Sequence, residues 1–310
     1  MDVGDPFDDH GSVAVNGGLL TVARAGPPPG EAAAVVLAVH GLTASHMTWR
    51  AVARELHADG EICLLAPDLR GRGRSAVLPG PYGMDSHVAD LLAVLDDAGA
   101  PRAVLAGHSM GAHLVASLAA EHPDRAASLV LLDGGVAVPS ATSRLDDEAA
   151  EAATAGIVDR IGVPVATAAD YIARWRSHPA VRTAWNDDIE AYVRYEMTDD
   201  GCDAHCVISQ QAVLVDSFEL LLDGSDPAPA VLARVSAPVR LLRASRGLLD
   251  DEHPVIPLAS LDALFVACPQ TRVERVAGVN HYTLVLGAGP GPARVAAAIR
   301  QAVHELPGVR

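Results

Sequence analysis

Ser109 stands between Gly107 and Gly111 in the stretch AVLAGHSMGAH (103–113). An apolar run leads into it, and HLVASLAAEHP (113–123) follows on a helical period. Strand, tight turn, helix is the setting of a G-x-S-x-G nucleophile elbow, whose strained turn lifts the hydroxyl above a sheet. Side chains two residues before and after the serine would collide across such a turn, so both positions call for glycine. The plain alternative is a serine that caps the following helix.

A serine hydroxyl is a poor nucleophile at neutral pH and needs a base. The chain has 13 histidines, so position must select one. His281, in GVNHYTL (278–284), follows the last strand-like run by a few residues. A loop there returns over the carboxyl edge of a parallel sheet, where Ser109 would sit. His40 and His108 lie at strand ends and are expected to shape the pocket or support it. A developing oxyanion needs two N–H donors. Met110 offers one from the elbow, and Leu42, in HGLTASHMTW (40–49), offers the second. Gly41 beside it lets the backbone approach a substrate.

These groups need a frame. Strand-like runs recur at 12–15, 19–24, 34–40, 62–67, 103–108, 128–133, 239–244 and 272–277. NGG at 16–18 predicts a tight hairpin between the first two. The later runs are continuous rather than alternating, as strands buried on both faces are. Helical periods separate them, at 46–58, 84–100 and 293–306. Hairpin first, then alternating strand and helix, predicts an α/β fold with an open, mostly parallel sheet flanked by helices.

The stretch 137–234 breaks the alternation. It reads as helical pieces with no convincing strand, giving a core in two parts, 1–136 and 235–310, around a helical cap at 137–234. Six of the chain's 11 aromatic residues fall there: Tyr171, Trp175, Trp185, Tyr192, Tyr195 and Phe218. They either line an apolar pocket or pack the cap's own core. Trp175, Trp185 and Tyr192 are the candidate substrate contacts, together with Gly41 and with Tyr282 beside His281.

Composition excludes several chemistries. All 23 positive side chains are arginine, so a lysine Schiff base and a P-loop lysine are absent. A net charge of −16 disfavours nucleic acid and anionic membranes as partners. No apolar run reaches membrane-spanning length, and MDVGDPFDDH lacks a signal-peptide pattern, so a cytoplasmic location is expected. CDAHC (202–206) has cysteine spacing but no second ligand pair, so no metal and no cofactor are expected.

HG (40–41), PDLRGRGRS (67–75), GHSMG (107–111) and NH (280–281) together resemble, in order and spacing, the motifs of the α/β-hydrolase superfamily. The resemblance covers nearly the whole chain. It implies an eight-stranded sheet whose second strand is antiparallel, with the cap inserted after strand 6. It assigns Asp68 and Arg70 to holding their loop together rather than to catalysis.

The resemblance also implies a triad carboxylate, and two sites compete for it. Members of the superfamily usually carry it shortly after the strand at 239–244, in a G-x-x-D arrangement. Here that stretch reads RASRGLLDDEHP, with Gly247 at the expected position and Asp250 and Asp251 following late. Other members carry it at the end of the strand after the elbow helix, where this chain has Asp133. Ser109 argues against the aspartate-nucleophile dehalogenases and epoxide hydrolases of this fold. What remains is acyl transfer to water on a small hydrophobic ester or lactone. The alternatives are carbon–carbon bond hydrolysis of a diketone, a cofactor-free haloperoxidase-like activity, and a receptor with a vestigial triad. Dimerisation through the cap is compatible with each.

Overall fold

The computed structural model describes residues 4–57, 60–136, 161, 166–199, 204–221 and 228–308. The first half contributes β1 (Asp9–Val15), β2 (Gly18–Ala25), β3 (Ala34–Val39), α1 (Arg50–His57), β4 (Ile62–Pro67), α2 (Met84–Asp97), β5 (Ala103–His108), α3 (Met110–Glu121) and β6 (Ala126–Leu132). Then come α4 (Ala168–Arg176), α5 (Asp187–Tyr195), β7 (Met197–Asp199), β8 (Ala204–Cys206), α6 (Gln210–Leu221) and α7 (Ala228–Ala233). The chain closes with β9 (Val239–Ala244), α8 (Ala259–Ala267), β10 (Arg272–Val276) and α9 (Pro290–His304).

Eight strands form one sheet in the order β1-β2-β4-β3-β5-β6-β9-β10. β2 runs antiparallel to both its neighbours, β1 and β4, and the remaining pairs are parallel. The predicted hairpin turn is Asn16-Gly17, with Gly17 at φ 89°, a value that favours glycine.

Alternation along the central strands divides the core. Val36, Ala38, Val104, Ala106, Val130 and Leu132 face α1 and α9. Val35, Leu37, Val39, Leu105, Leu129 and Leu131 face α2, α3, α7 and α8. Both faces are covered, which is why these strands read as unbroken apolar runs. No helix among the described residues is long and apolar enough to cross a membrane.

Two sequence expectations need correction. The stretch 46–58 is not one helix: a 3₁₀ turn at His46–Trp49 precedes α1. The stretch 137–234 is not strand-free, because β7 and β8 pair antiparallel within it. Each is three residues long, too short for alternation to show in the sequence. Of DDEAAEAATAGIVDRI (146–161), one of the helical pieces read within 137–234, only Ile161 lies among the described residues. α4 and α5 do form, and each starts on the cap its sequence supplies. Thr167 accepts from the Asp170 N–H, and Asn186 accepts from the Ile189 N–H.

Candidate active site

Ser109 is the junction between β5 and α3. Its backbone sits at φ 56°, ψ −121°, and its side chain makes no capping hydrogen bond to the helix it precedes. The helix-cap alternative is thereby set aside, since a capping serine has extended backbone and a bonded side chain. A non-glycine residue at this φ costs about 1–3 kcal/mol, so surrounding structure must hold it there. The Ser109 N–H donates to the Leu132 carbonyl at 3.0 Å, tying the elbow to the end of β6.

The flanking glycines are required by close backbone approach. A Cβ on Gly107 would lie 2.2 Å from the Gly111 carbonyl oxygen, a collision across the turn as predicted. The constraint at Gly111 has a different source. A Cβ there would lie 2.2 Å from the Val39 carbonyl oxygen, so the neighbouring strand β3 forbids it rather than the turn itself.

β6 delivers Asp133 next to the elbow. Asp133 is 1% exposed, at φ 47°, and its N–H donates to the Leu242 carbonyl of β9. One carboxylate oxygen accepts the Ala244 N–H at 3.0 Å. The other lies 2.8 Å from Nδ1 of His281. A carboxylate can only accept, so Nδ1 carries the proton and the His281 lone pair is on Nε2. Asp250 and Asp251 face elsewhere. Asp250 pairs with the Arg246 guanidinium at 2.7 Å and accepts from the Asn280 amide at 3.1 Å. Asp251 closes a surface turn by accepting the His253 N–H.

The His281 loop is fixed from both sides. Asn280 accepts the N–H groups of Tyr282 and Thr283, and its amide donates to the Ala180 carbonyl of the cap at 2.8 Å. His108 donates from Nε2 to the His281 carbonyl at 2.9 Å, and the two rings lie 4.6 Å apart. Burial chiefly, with His281 packed beside it, holds the His108 imidazole well below its usual range, so it stays a neutral strut. This link between the strand that leads to Ser109 and the loop that carries His281 was not legible in the sequence, although His108 itself was.

The loop after β3 lies against the serine. A Cβ on Gly41 would be 3.1 Å from Ser109 Cβ and 3.6 Å from its Oγ. His40 Nδ1 donates to the Gly41 carbonyl at 2.8 Å, and its Nε2 accepts the Leu69 N–H at 3.0 Å. Burial drives the His40 pKa down to about 3, consistent with one donating and one accepting nitrogen. The peptide whose carbonyl His40 grips is the one that carries the Leu42 N–H. In a trans peptide the two point opposite ways, so His40 orients and polarises that donor. Arg72, fully buried, donates to the Leu42 carbonyl at 2.9 Å and pairs with Asp216 of α6 at 2.5 Å. Asp216 also bonds His87 and the Gly83 N–H, each at 2.8 Å.

Asp68 and Arg70 hold their loop. Asp68 accepts from the His46 backbone and ring, the Arg74 N–H and the Tyr195 hydroxyl. Burial alone would raise its carboxyl, but the charge and hydrogen bonds of His46 outweigh that and hold it at about 2. Arg70 forks onto Asp90 with bonds of 3.0 and 2.8 Å.

A cavity opens against Thr43 and Tyr282, the residues that follow Leu42 and His281 in the chain. Tyr171, Arg174, Trp175, His178, Glu196 and Cys206 complete much of its wall from the cap. Of the predicted contacts, Trp175 and Tyr282 line it and Gly41 lies by the serine. Tyr192 does not line it. It is buried behind Trp175, with ring centroids 6.2 Å apart, and its hydroxyl bonds Glu196. Trp185 does not line it either. It lies under the Arg176 guanidinium, 5.4 Å from its ring, where the cation holds its face. Sequence reasoning missed Glu196, which lies between Tyr195 and Met197 in the chain. Cys202 of the CDAHC stretch lies outside the described residues, and among those described no group of His, Cys, Asp and Glu could hold a metal ion.

Comparison with known proteins agrees with the fold. The chain is 41% identical over 125 residues to a lipase, LipV, of Mycobacterium tuberculosis, and 40% identical over 122 residues to epoxide hydrolase A of the same organism. These matches span 40% and 39% of this chain but only 45% and 37% of those proteins. Among solved structures it is similar to a thioesterase domain from the curacin biosynthetic pathway, with TM-score 0.74 and 19% identity over 94% of this chain and 99% of that one. A family model described as the alpha/beta hydrolase fold matches residues 34–288, and the chain therefore belongs to that family.

Proposed function

We propose that the chain is a serine hydrolase that cleaves a hydrophobic carboxylic ester or lactone through an acyl-enzyme. The observation that carries this reading is the 2.8 Å bond between His281 Nδ1 and Asp133, which leaves Nε2 as the basic nitrogen beside the elbow strand. In this scheme Ser109 Oγ attacks the carbonyl carbon while Nε2 takes its proton. The Leu42 and Met110 N–H groups receive the oxyanion. Nε2 then protonates the leaving alkoxide, and the acyl group stays on Ser109. Water enters, gives a proton to Nε2 and attacks the acyl carbon. As the tetrahedral species collapses, Nε2 returns that proton to the departing Ser109 Oγ, the acid is released, and serine and imidazole are restored. Asp133 keeps the imidazole in the required tautomer and stabilises its charged form.

The ester reading is supported by a serine at the elbow and by a relative named as a lipase. The relative named as an epoxide hydrolase widens the range of bonds found in similar chains, but it matches only 37% of that protein. The test is a fluorophosphonate probe together with a panel of p-nitrophenyl esters and lactones, run on wild type and Ser109→Ala. Stoichiometric labelling and ester turnover in the wild type alone are expected. Labelling at another residue, or equal turnover by Ser109→Ala, overturns the scheme.

A further inference from the structure

The cavity beside Tyr282 is mostly apolar and aromatic, with a few charged and polar groups set into it, and its makeup specifies a ligand chemistry. Trp175 is its centre. The Tyr171 ring lies 6.5 Å away at 72°, and the Tyr282 ring 6.3 Å away at 73°. His178 adds a fourth ring, 5.3 Å from Trp175 and 6.0 Å from Tyr282. Rings set nearly at right angles wall a space with both faces and edges, and aromatic faces attract cations. Glu196 lines the same space and is only 2% exposed. It lies against the wall: burial first, then the neighbouring Glu196, push the Tyr171 hydroxyl well above its usual range, and the Tyr192 hydroxyl bonds the same carboxyl group from behind.

We propose that Tyr171, Trp175 and Tyr282, with the Glu196 carboxylate, form a receptor for a cationic group, so that the preferred substrate carries a quaternary ammonium or protonated amine. The position of the group follows from Tyr282, whose ring is 5.7 Å from that of His281. A cation held there sits within one short chain of the reacting carbonyl. One positive group, Arg174, also lines the cavity and opposes this. Arg174 occupies an exposed helix position, where water screens its charge, whereas Glu196 acts from a desolvated one. The net charge of −16 adds a field that draws cations towards the molecule.

The substrate part of this inference rests on the serine-hydrolase reading; the binding part does not, and the test separates them. First, tetramethylammonium chloride is titrated into the wild type, Trp175→Phe and Glu196→Gln, following tryptophan fluorescence against sodium chloride at equal ionic strength. A saturating change is expected in the wild type, lost in Trp175→Phe and weakened about tenfold or more in Glu196→Gln. Second, p-nitrophenyl trimethylammoniobutyrate is compared with its neutral tert-butyl isostere, and the matched pair is repeated with the cation on the alcohol side. A preference of about tenfold or more in kcat/KM for the cation is expected on one of the two sides, reduced in Glu196→Gln and in Tyr171→Leu. Tetramethylammonium binding without cleavage of any ester leaves the cation site standing and removes the hydrolase reading. Equal cleavage of all matched pairs with no saturable tetramethylammonium response does the reverse and overturns the proposal. If Glu196→Gln does not fold, the wild-type titration and the Trp175→Phe comparison decide.

Discussion

His281 Nδ1 meets the Asp133 carboxylate at 2.8 Å across 148 residues of chain, while Asp250 spends its carboxylate on Arg246 and Asn280. In the proposed triad the acid thus comes from the strand next to the one that carries Ser109, not from the loop after β9. Asp133→Asn is expected to lower kcat by about 10³–10⁴-fold, as loss of the orienting carboxylate does in serine protease triads. The asparagine oxygen can still accept the Ala244 N–H, so the melting temperature should shift by only a few degrees. Asp250→Asn should stay within about tenfold of wild type. Steady-state kinetics on both variants test this, and a severe Asp250→Asn with a mild Asp133→Asn would move the acid to position 250.

Gly41 and Gly111 should fail in different ways. A methyl on Gly41 would stand 3.1 Å from Ser109 Cβ and 3.6 Å from Oγ, tight but not impossible. It would crowd the place where the proposed scheme forms a tetrahedral carbon. Gly41→Ala is expected to keep its fold and lose about 10²-fold or more in kcat. A methyl on Gly111 would meet the Val39 carbonyl oxygen at 2.2 Å. Gly111→Ala should lose about 3 kcal/mol or more of stability, or not fold at all. Urea denaturation beside turnover separates the two outcomes.

Arg72 joins the cap to the loop that carries Leu42. It is fully buried, donating to the Leu42 carbonyl and pairing with Asp216 of α6. Asp216→Ala strands that guanidinium without its counter-charge, which typically costs about 3–5 kcal/mol. Because Leu42 loses a fixed neighbour, kcat should also fall, by about tenfold. Asp216→Asn keeps the shape and should lose less in both measures. A variant with lowered stability but unchanged kcat would uncouple the cap from this loop.

Acid should destabilise the fold in two steps. His40 is held neutral down to about 3 and His108 well below its usual range, both chiefly by burial. Between pH 6.5 and about 3 the unfolded chain binds protons that the folded His40 does not, so stability rises with pH across that window. Each such histidine contributes a slope of about 1.4 kcal/mol per pH unit. Asp68, held at about 2, has the complementary behaviour. Its contribution is complete above pH 3.8 and is lost as pH falls towards 2. Urea midpoints should therefore decline from about pH 6.5 downwards and fall faster below about pH 4. His40→Gln should flatten the upper step.

The frame of the candidate site was readable because each part of it leaves a local mark. Central strands covered on both faces give unbroken apolar runs, and the elbow needs glycine at two fixed positions. The cap was less readable. Its aromatic residues were visible, but only tertiary packing decides that Trp175 faces the cavity while Trp185 lies beneath Arg176. Glu196 gave no periodic signal, since it sits where α5 ends and a three-residue strand begins. The acid could be narrowed to two places and no further, because both carry aspartate. The choice depends on which carboxylate the His281 ring meets in space.

Seating the proposed acid at the tip of β6 has a consequence for the segment between β9 and α8. That segment answers only to scaffolding demands: the Ser245 N–H and hydroxyl bonded to the Val279 carbonyl, and Asp250 bracing Asn280. Its exposed crest around Leu248 and Leu249 carries no chemical duty in the proposed triad. Evolution, or a designer, is free to lengthen or rewrite that crest without disturbing the proposed triad, provided those two anchors survive.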